Sequence, residues 1–370
     1  MNAVGIILAG GSNQKLSTLV KHRAAAALPI GSCYRAIDFP LSNMTNSGIN
    51  KVAVMTQYNS RSLYDHLSSS KWWDLGRKQG GLYMFSPFMS TEFTFRGTAD
   101  AIFQNLTFLR RSKEEYVVIS SGDCVYKMDY NEMLAHHKAK EADITIAYRH
   151  VPENEDISQY GVIALDEDGR LEDIEEKPLE PESRMASTGV YIIKRQLLIE
   201  LVEAIALEGR YDFVRDIISR YRKRLKIHGF YFNDFWRSLI SVDTYFSCNM
   251  EFLQRGIREK FILSAPHIHT KPKDEPPAKF NNNAHITNSV VGSGAILDGN
   301  AHRSIIFRNA RIGEDSIVRN SIIMEGVEIG RGCKIEYAIL DKEVVVHDGA
   351  EVAGRKDLPL VVAKGSVVGV

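Results

Sequence analysis

Three short segments hold residue types that could act on a phosphorylated substrate. Ile119-Ser120-Ser121-Gly122-Asp123 is an apolar run ending in glycine and a carboxylate. At the carboxyl end of a strand in an open α/β sheet, a carboxylate is well placed to hold Mg²⁺ on such a substrate. Leu8-Ala9-Gly10-Gly11 ends another apolar run, and Ser12-Asn13-Gln14-Lys15-Leu16 follows it. A glycine-rich turn between strand and helix bares backbone N–H groups that can cradle phosphate. It is not a Walker A loop, because the Gly-Lys-Ser/Thr ending is missing. Glu175-Glu176-Lys177-Pro178, with Ala186-Ser187-Thr188-Gly189 further along, supplies a carboxylate, an ammonium and a hydroxyl suited to sugar hydroxyls and a phosphate. Each segment also has a plainer reading, as a turn, a helix cap or a solvated charge cluster, and taken singly none decides.

The elements that must position them are legible from hydrophobic periodicity. Short β-branched apolar runs fall at Val4–Ala9, Lys51–Thr56, Tyr116–Ser120, Asp143–Tyr148, Tyr160–Leu165, Gly189–Ile193 and Lys226–Tyr231. Helical patterns lie between them, such as Ala99–Arg110 and Tyr130–Lys140. The alternation predicts a Rossmann-like α/β domain with a mostly parallel sheet over residues 1–260. Residues 261–284 carry Pro266, Pro272, Pro276 and Pro277 without apolar periodicity, which marks a linker.

From residue 285 to 370 the texture changes. Apolar residues recur every six positions at Ile306, Ile312 and Val318, then Ile323, Ile329 and Ile335, then Leu340, Val346 and Val352, each set 17 residues after the last. Asn288-Ser289-Val290, Arg303-Ser304-Ile305, Asn320-Ser321-Ile322 and Tyr337-Ala338-Ile339 mark one corner on successive turns, and glycine follows Ile312 and Ile329 as if at a tight corner. This is the pattern of a parallel β-helix with three short strands per coil.

Composition excludes several classes. Lys+Arg and Asp+Glu each total 46, so a formally neutral chain gives no electrostatic case for nucleic acid or an anionic membrane. The four cysteines, Cys33, Cys124, Cys248 and Cys333, form no CxxC pair, which argues against structural zinc and disulfides and fits a reducing cytoplasm. The N-terminal run is read as a first strand and not as a signal peptide.

Together the motifs resemble the ADP-glucose pyrophosphorylase (glucose-1-phosphate adenylyltransferase) family. The likeness runs through Leu8–Gly11, PIGSCYRAIDFPLSNMTNSG over Pro29–Gly48, Thr56-Gln57-Tyr58, Gly97–Asn105, Ser121–Tyr130, Tyr160-Gly161, Glu176-Lys177-Pro178, Ala186–Gly189 and Trp236-Arg237. It covers essentially the whole chain. The resemblance implies a nucleotidyltransferase domain joined to a left-handed β-helix, and a reaction that converts ATP and glucose 1-phosphate, with Mg²⁺, to ADP-glucose and pyrophosphate. It implies that Gly10, Gly11, Lys15, Gln57, Gly97 and Thr98 bind nucleotide, and that Glu176, Lys177 and Ser187 hold the sugar phosphate. Phe95, a tyrosine in the family, and Gly161 would line the sugar pocket, and Asp123 would be one of two metal carboxylates. His22 and Arg23 would lie near the site of an anionic sugar-phosphate or nucleotide effector.

The chain departs from the family pattern where the chemistry is hardest. Asn13 stands for the last glycine of the loop, Lys15 for an arginine, Ala25 for a lysine, Ser238 for the second metal aspartate and Ile240 for a glycine. Asparagine tolerates left-handed backbone, so the turn is expected to survive at Asn13. Lysine lacks the planar, bidentate grip of arginine on phosphate. Removing one preorganised charge stabiliser costs ~10²–10³ in rate. Losing both the lysine and the aspartate would cost ~10⁴–10⁶, although such effects do not add simply. The pattern resembles the catalytically degenerate GlgD-type subunit that assembles with a catalytic homologue in bacterial glycogen synthesis. The competing expectations are an active adenylyltransferase in which Asp234 or Asp243 replaces the lost aspartate, and an acyltransferase using His285, His302 or His347. The apolar C-terminal segment LPLVVAKGSVVGV is expected to pack against a domain or another subunit, in a hetero-oligomer that family analogy makes tetrameric.

Overall fold

A computed structural model describes residues 1–11, 13–76, 80–87, 94–153 and 155–369; Ser12 of the glycine-rich turn and the terminal Val370 lie outside the described residues. The first domain is built on a nine-stranded sheet. Its strands in chain order are β1 (Ala3–Ala9), β2 (Lys51–Thr56), β3 (Gly81–Phe85), β4 (Tyr116–Ser121), β5 (Ile144–His150), β6 (Gly161–Leu165), β7 (Leu171–Glu176), β8 (Met185–Lys194) and β9 (Ile227–Tyr231). They lie in the order β7-β6-β8-β4-β1-β2-β3, with β5 also on β8 and β9 on β5. Seven run in one direction, and only β7 and β8 run against them. The expected mostly parallel sheet is present, as a mixed one.

Strand β1 is buried on both faces because its alternate residues feed two layers. Val4 and Ile6 join Ile102, Leu198 and Val202 on one side. Ala3, Ile7 and Ala9 join Leu41, Met44 and Trp73 on the other. The helix expected over Ala99–Arg110 is two shorter ones, Thr98–Gln104 and Leu106–Arg110, broken where the Asn105 amide donates to the Ala101 carbonyl at 2.9 Å.

The second domain is the expected β-helix, three stacks of short parallel strands. Its register is the 17-residue repeat: Ile306, Ile323 and Leu340 lie one above another, as do Ile312, Ile329 and Val346, and Val318, Ile335 and Val352. All nine are buried. The polar tripeptides turn the corner through left-handed residues, with φ of 41° at Asn288, 50° at Arg303, and 46° at both Asn320 and Tyr337. The Ser304 and Ser321 hydroxyls accept from the backbone N–H one coil on, at Ser321 and Ala338. Gly313 and Gly330 are glycines for a different reason than the corner turn expected from sequence. Neither has positive φ; a Cβ on Gly313 would collide with the Gly330 carbonyl of the next coil.

The linker begins and ends elsewhere than the sequence suggests. A helical turn continues to Leu263, and Lys279–Phe280 already pairs with Ile296-Leu297 as part of the first coil. Between them the chain is held to the first domain. The His269 carbonyl accepts from the Trp73 indole at 3.1 Å, and the His267 carbonyl accepts from Asn46 at 2.9 Å. The domains share one core, in which Phe39, Tyr245, Phe252 and Phe261 belong with Ile305, Ile322 and Ile339. Arg23 and Asp341 form an ion pair across this junction. Among the described residues no helix is long and apolar enough to cross a membrane.

Candidate functional site

The carboxyl ends of β1 and β4 and the middle of the antiparallel β8 open into one cleft of about 450 Å³. Gly10 and Gly11 leave the end of β1, and Ser121, Gly122 and Asp123 leave the end of β4. A Cβ at Gly122 would stand 3.0 Å from the Ala9 Cβ and 3.3 Å from that of Ala26, a close fit that favours glycine. Asp123 points into the cleft and accepts the Ser121 hydroxyl at 2.5 Å. Burial holds its carboxyl above the usual carboxylate range, against the pull of that hydrogen bond. The short strand Trp236–Ser238 pairs antiparallel with Cys124–Tyr126, so that Ser238 faces Cys124, the neighbour of Asp123.

The opposite wall comes from the antiparallel strands. β7 ends in Glu176, followed by Lys177 with a left-handed φ of 54°, and β8 contributes Ser187 and Thr188. Lys177 Nζ lies 3.9 Å from Glu176 Oε1. Burial raises the Glu176 carboxyl while Lys177 opposes the shift. Gly161 gives this carboxylate room, since a Cβ there would come within 3.0 Å of Glu176 Oε2. The rim is tied down by backbone contacts. Gln57 Oε1 accepts the Phe95 N–H at 2.8 Å, and the Thr98 hydroxyl accepts the Phe213 N–H at 2.9 Å.

Of the residues expected from sequence, Gly10, Gly11, Gln57, Phe95, Gly97, Thr98, Asp123, Gly161, Glu176, Lys177 and Ser187 all line this cleft, as do the departures Ala25, Ser238 and Ile240. Three do not. Lys15 and His22 are exposed outside it. Arg23 also lies outside the cleft, with its guanidinium buried against Asp341. Asn13 does not use the left-handed backbone expected of it: φ is −119°, and its side-chain amide donates to the Ile240 carbonyl at 2.7 Å. Asn13 is thus bonded to Ile240, which lines the cleft.

Asp234 is paired with Lys260, and Asp243 is exposed in the first turn of the helix Val242–Glu251; neither lines the cleft. His285, His302 and His347 are exposed on separate coils. Sequence reasoning missed Cys124, Thr188 and Tyr191 as wall residues. Tyr191 lies at i+4 from Ser187, so strand alternation was an available signal for it; Cys124 and Thr188 directly follow expected residues, where alternation gives the opposite face.

The cleft does not suit a protein-held Mg²⁺. Asp123 offers at most two oxygens, one already engaged by Ser121, and Ser238 adds only a hydroxyl where a second carboxylate would stand. Among the described residues no three His, Cys, Asp or Glu side chains gather to hold a metal.

Comparison with known proteins agrees with this geometry. The Nucleotidyl transferase family pattern matches residues 4–255, and the GlmU-like C-terminal hexapeptide pattern matches residues 276–358. The glucose-1-phosphate adenylyltransferase of Bacillus cytotoxicus is 35% identical over 364 residues, covering 96% of each chain. The enzyme of the same name from Bacillus cereus strain Q1 is also 35% identical, over 97% of this chain and 96% of its own. The chain belongs to the glucose-1-phosphate adenylyltransferase family. A glucose-1-phosphate adenylyltransferase fold thus surrounds a cleft lined by Glu176, Lys177 and Ser187 on one side and by Ala25, Asp123 and Ser238 on the other.

Proposed function

We propose that this chain is a regulatory, catalytically degenerate subunit of ADP-glucose pyrophosphorylase in bacterial glycogen biosynthesis. Its partner would be a catalytic homologue that makes ADP-glucose and pyrophosphate from ATP and glucose 1-phosphate. One observation carries the reading: Ser238 stands beside the Asp123 segment in the position from which a second carboxylate would clamp the metal. Ala25, 7% exposed in the same wall, adds no cation for the phosphates. Without these groups, the charge that builds up as the α-phosphate is attacked has no preorganised counter-charge. Sugar-phosphate recognition survives, because Glu176, Lys177 and Ser187 are in place. The open coil at the end of the β-helix leaves Leu360 and Val367 44% and 54% exposed, a surface suited to a second subunit.

The test is ADP-glucose formation by the purified chain given ATP, glucose 1-phosphate and Mg²⁺, alone and after co-expression with a catalytic homologue. Background turnover alone and co-elution with the homologue are expected. Robust turnover by the isolated chain would overturn the reading.

A further inference from the structure

We propose that Arg149 is a positioning residue of the cleft: its guanidinium holds the main chain at Trp236 and, through it, the indole that walls the sugar-phosphate side. Arg149 is not part of the cleft lining, whereas Trp236, Tyr160 and Thr188 are. It belongs to β5 and pairs with Ala186 of β8, the residue before Ser187. Arg149 Nη1 donates to the Trp236 carbonyl at 3.0 Å. The same oxygen accepts from Arg237 Nη1 at 3.3 Å. Two guanidinium groups thus converge on one carbonyl oxygen. The other end of the tryptophan is fixed as well. Its indole Nε1 donates to the Thr188 carbonyl at 3.2 Å, and the Tyr160 ring lies 5.2 Å away between centroids.

The charges around Arg149 show what it is held for. It is half-buried, and among the described residues no carboxylate lies within ion-pair distance of it. The nearby acids are taken by Arg237, which stands 3.5 Å from Glu155 and 2.5 Å from Glu251. Burial and the neighbouring Arg237 both push the Arg149 guanidinium below its usual pKa, against the pull of Glu155. A desolvated cation beside a second cation is unfavourable by itself. Its hydrogen bonds go to main-chain carbonyls instead, those of Trp236 and, at 3.3 Å from Nε, His150. The strand that receives this support is weak. It has three residues, Trp236–Ser238, and a single partner strand, Cys124–Tyr126. A two-stranded ribbon of that length is marginal without outside contacts. Without Arg149, the Trp236 carbonyl keeps only Arg237, which Glu251 holds through two hydrogen bonds.

The experiment compares the full chain with Arg149→Met, which keeps an aliphatic stem and removes the donors. Backbone amide exchange is measured first, without ligand. Exchange over residues 234–241 should rise about tenfold, while β5 and the β-helix keep wild-type rates. In calorimetric titration with glucose 1-phosphate, affinity should then fall about tenfold. Arg149→Lys, which retains a charged donor, should recover part of both changes. Unchanged exchange over 234–241, a rise spread through β5 and the β-helix, unchanged affinity, or a lysine variant no better than the methionine one would each overturn the proposal. The proposal rests on the sugar-phosphate reading of the cleft. A wild type that does not bind glucose 1-phosphate would sink that reading, and the ligand-free exchange would still decide whether Arg149 holds the strand.

Discussion

Arg23 Nη2 stands 2.7 Å from Asp341 Oδ1, with the two side chains only 5% and 1% exposed, so a residue of the first domain is neutralised by one in the β-helix. The pair is a junction lock. Removing one member of a buried pair strands the other charge, so Arg23→Ala or Asp341→Asn should each cost about 3–5 kcal/mol. Replacing both, as Arg23→Met with Asp341→Leu, should recover most of the loss. Urea midpoints at constant slope measure this. Single variants within about 0.5 kcal/mol of wild type would show that the pair holds nothing.

Restoring the lost charges should restore chemistry. Ser238→Asp, Ala25→Lys and Lys15→Arg together should raise ADP-glucose formation by the isolated chain, with Ser238→Asp the largest contributor. A carboxylate at 238 would stand beside the Asp123 segment and complete a two-carboxylate clamp for Mg²⁺. The two changes inside the cleft, Ser238→Asp and Ala25→Lys, are each expected to recover about 10²-fold if the scaffold is preorganised. A folded but silent triple variant would locate the defect in the shape of the cleft.

The Asn13–Ile240 hydrogen bond identifies that shape. Asn13→Gly should free the glycine-rich loop, raising amide exchange across residues 13–24 and leaving the β-helix amides unchanged. Added to the triple variant, with Ile240→Gly, it should increase turnover further. Exchange identical to wild type would mean that the loop is held by other contacts.

Acid should destabilise the fold through His137. This imidazole is 1% exposed, its Nδ1 lies 2.8 Å from the Thr145 hydroxyl, and burial lowers its pKa from 6.5 to about 4. The folded protein therefore favours the neutral ring, and the unfolded chain takes up the proton first. The stabilisation is complete above pH about 6.5 and is lost progressively as pH falls toward 4, on the order of 3 kcal/mol in all. Burial lowers His136, His228 and His269 in the same direction. His137→Gln should flatten the slope of stability against pH in this window; an unchanged slope would assign it to the other three.

Assembly should depend on the last coil. The sequence predicts that the C-terminal segment is packed, yet within one chain Leu358, Leu360 and Val367 are 63%, 44% and 54% exposed. Leu360→Asp should abolish co-elution with the catalytic homologue while leaving the isolated chain folded. Continued co-elution would place the interface elsewhere.

The repeat domain was legible because its register is written locally, as an apolar residue every six positions and a corner every 17. The first domain was legible only where strands are buried on both faces. β7 reads Leu-Glu-Asp-Ile-Glu-Glu with only Leu171 and Ile174 buried, so its charges hid an edge strand that carries Glu176. Strand ends located most cleft residues. The contacts that changed the interpretation are not local: Asn13 meets Ile240 across 227 positions, and Arg23 meets Asp341 across 318. No spacing or propensity near either residue announces such a partner, so the sequence could show neither the neutralised Arg23 nor the tethered Asn13.

The common core limits the modularity of this chain. Phe39, Tyr245, Phe252 and Phe261 belong to the same buried cluster as Ile305, Ile322 and Ile339. Recombination within the proline-rich segment would separate two complementary surfaces, and a borrowed β-helix would have to bring its own matching face. Length changes in the repeat meet a second constraint. An insertion within a strand would shift the inward residues that follow it out of line with those above and below; at a corner it need not, since the coil from Ala338 to Leu360 is longer than the one from Ile322 to Ile339 and keeps its pairing. Such a chain can change length at its corners, but its two domains can be exchanged only as one piece.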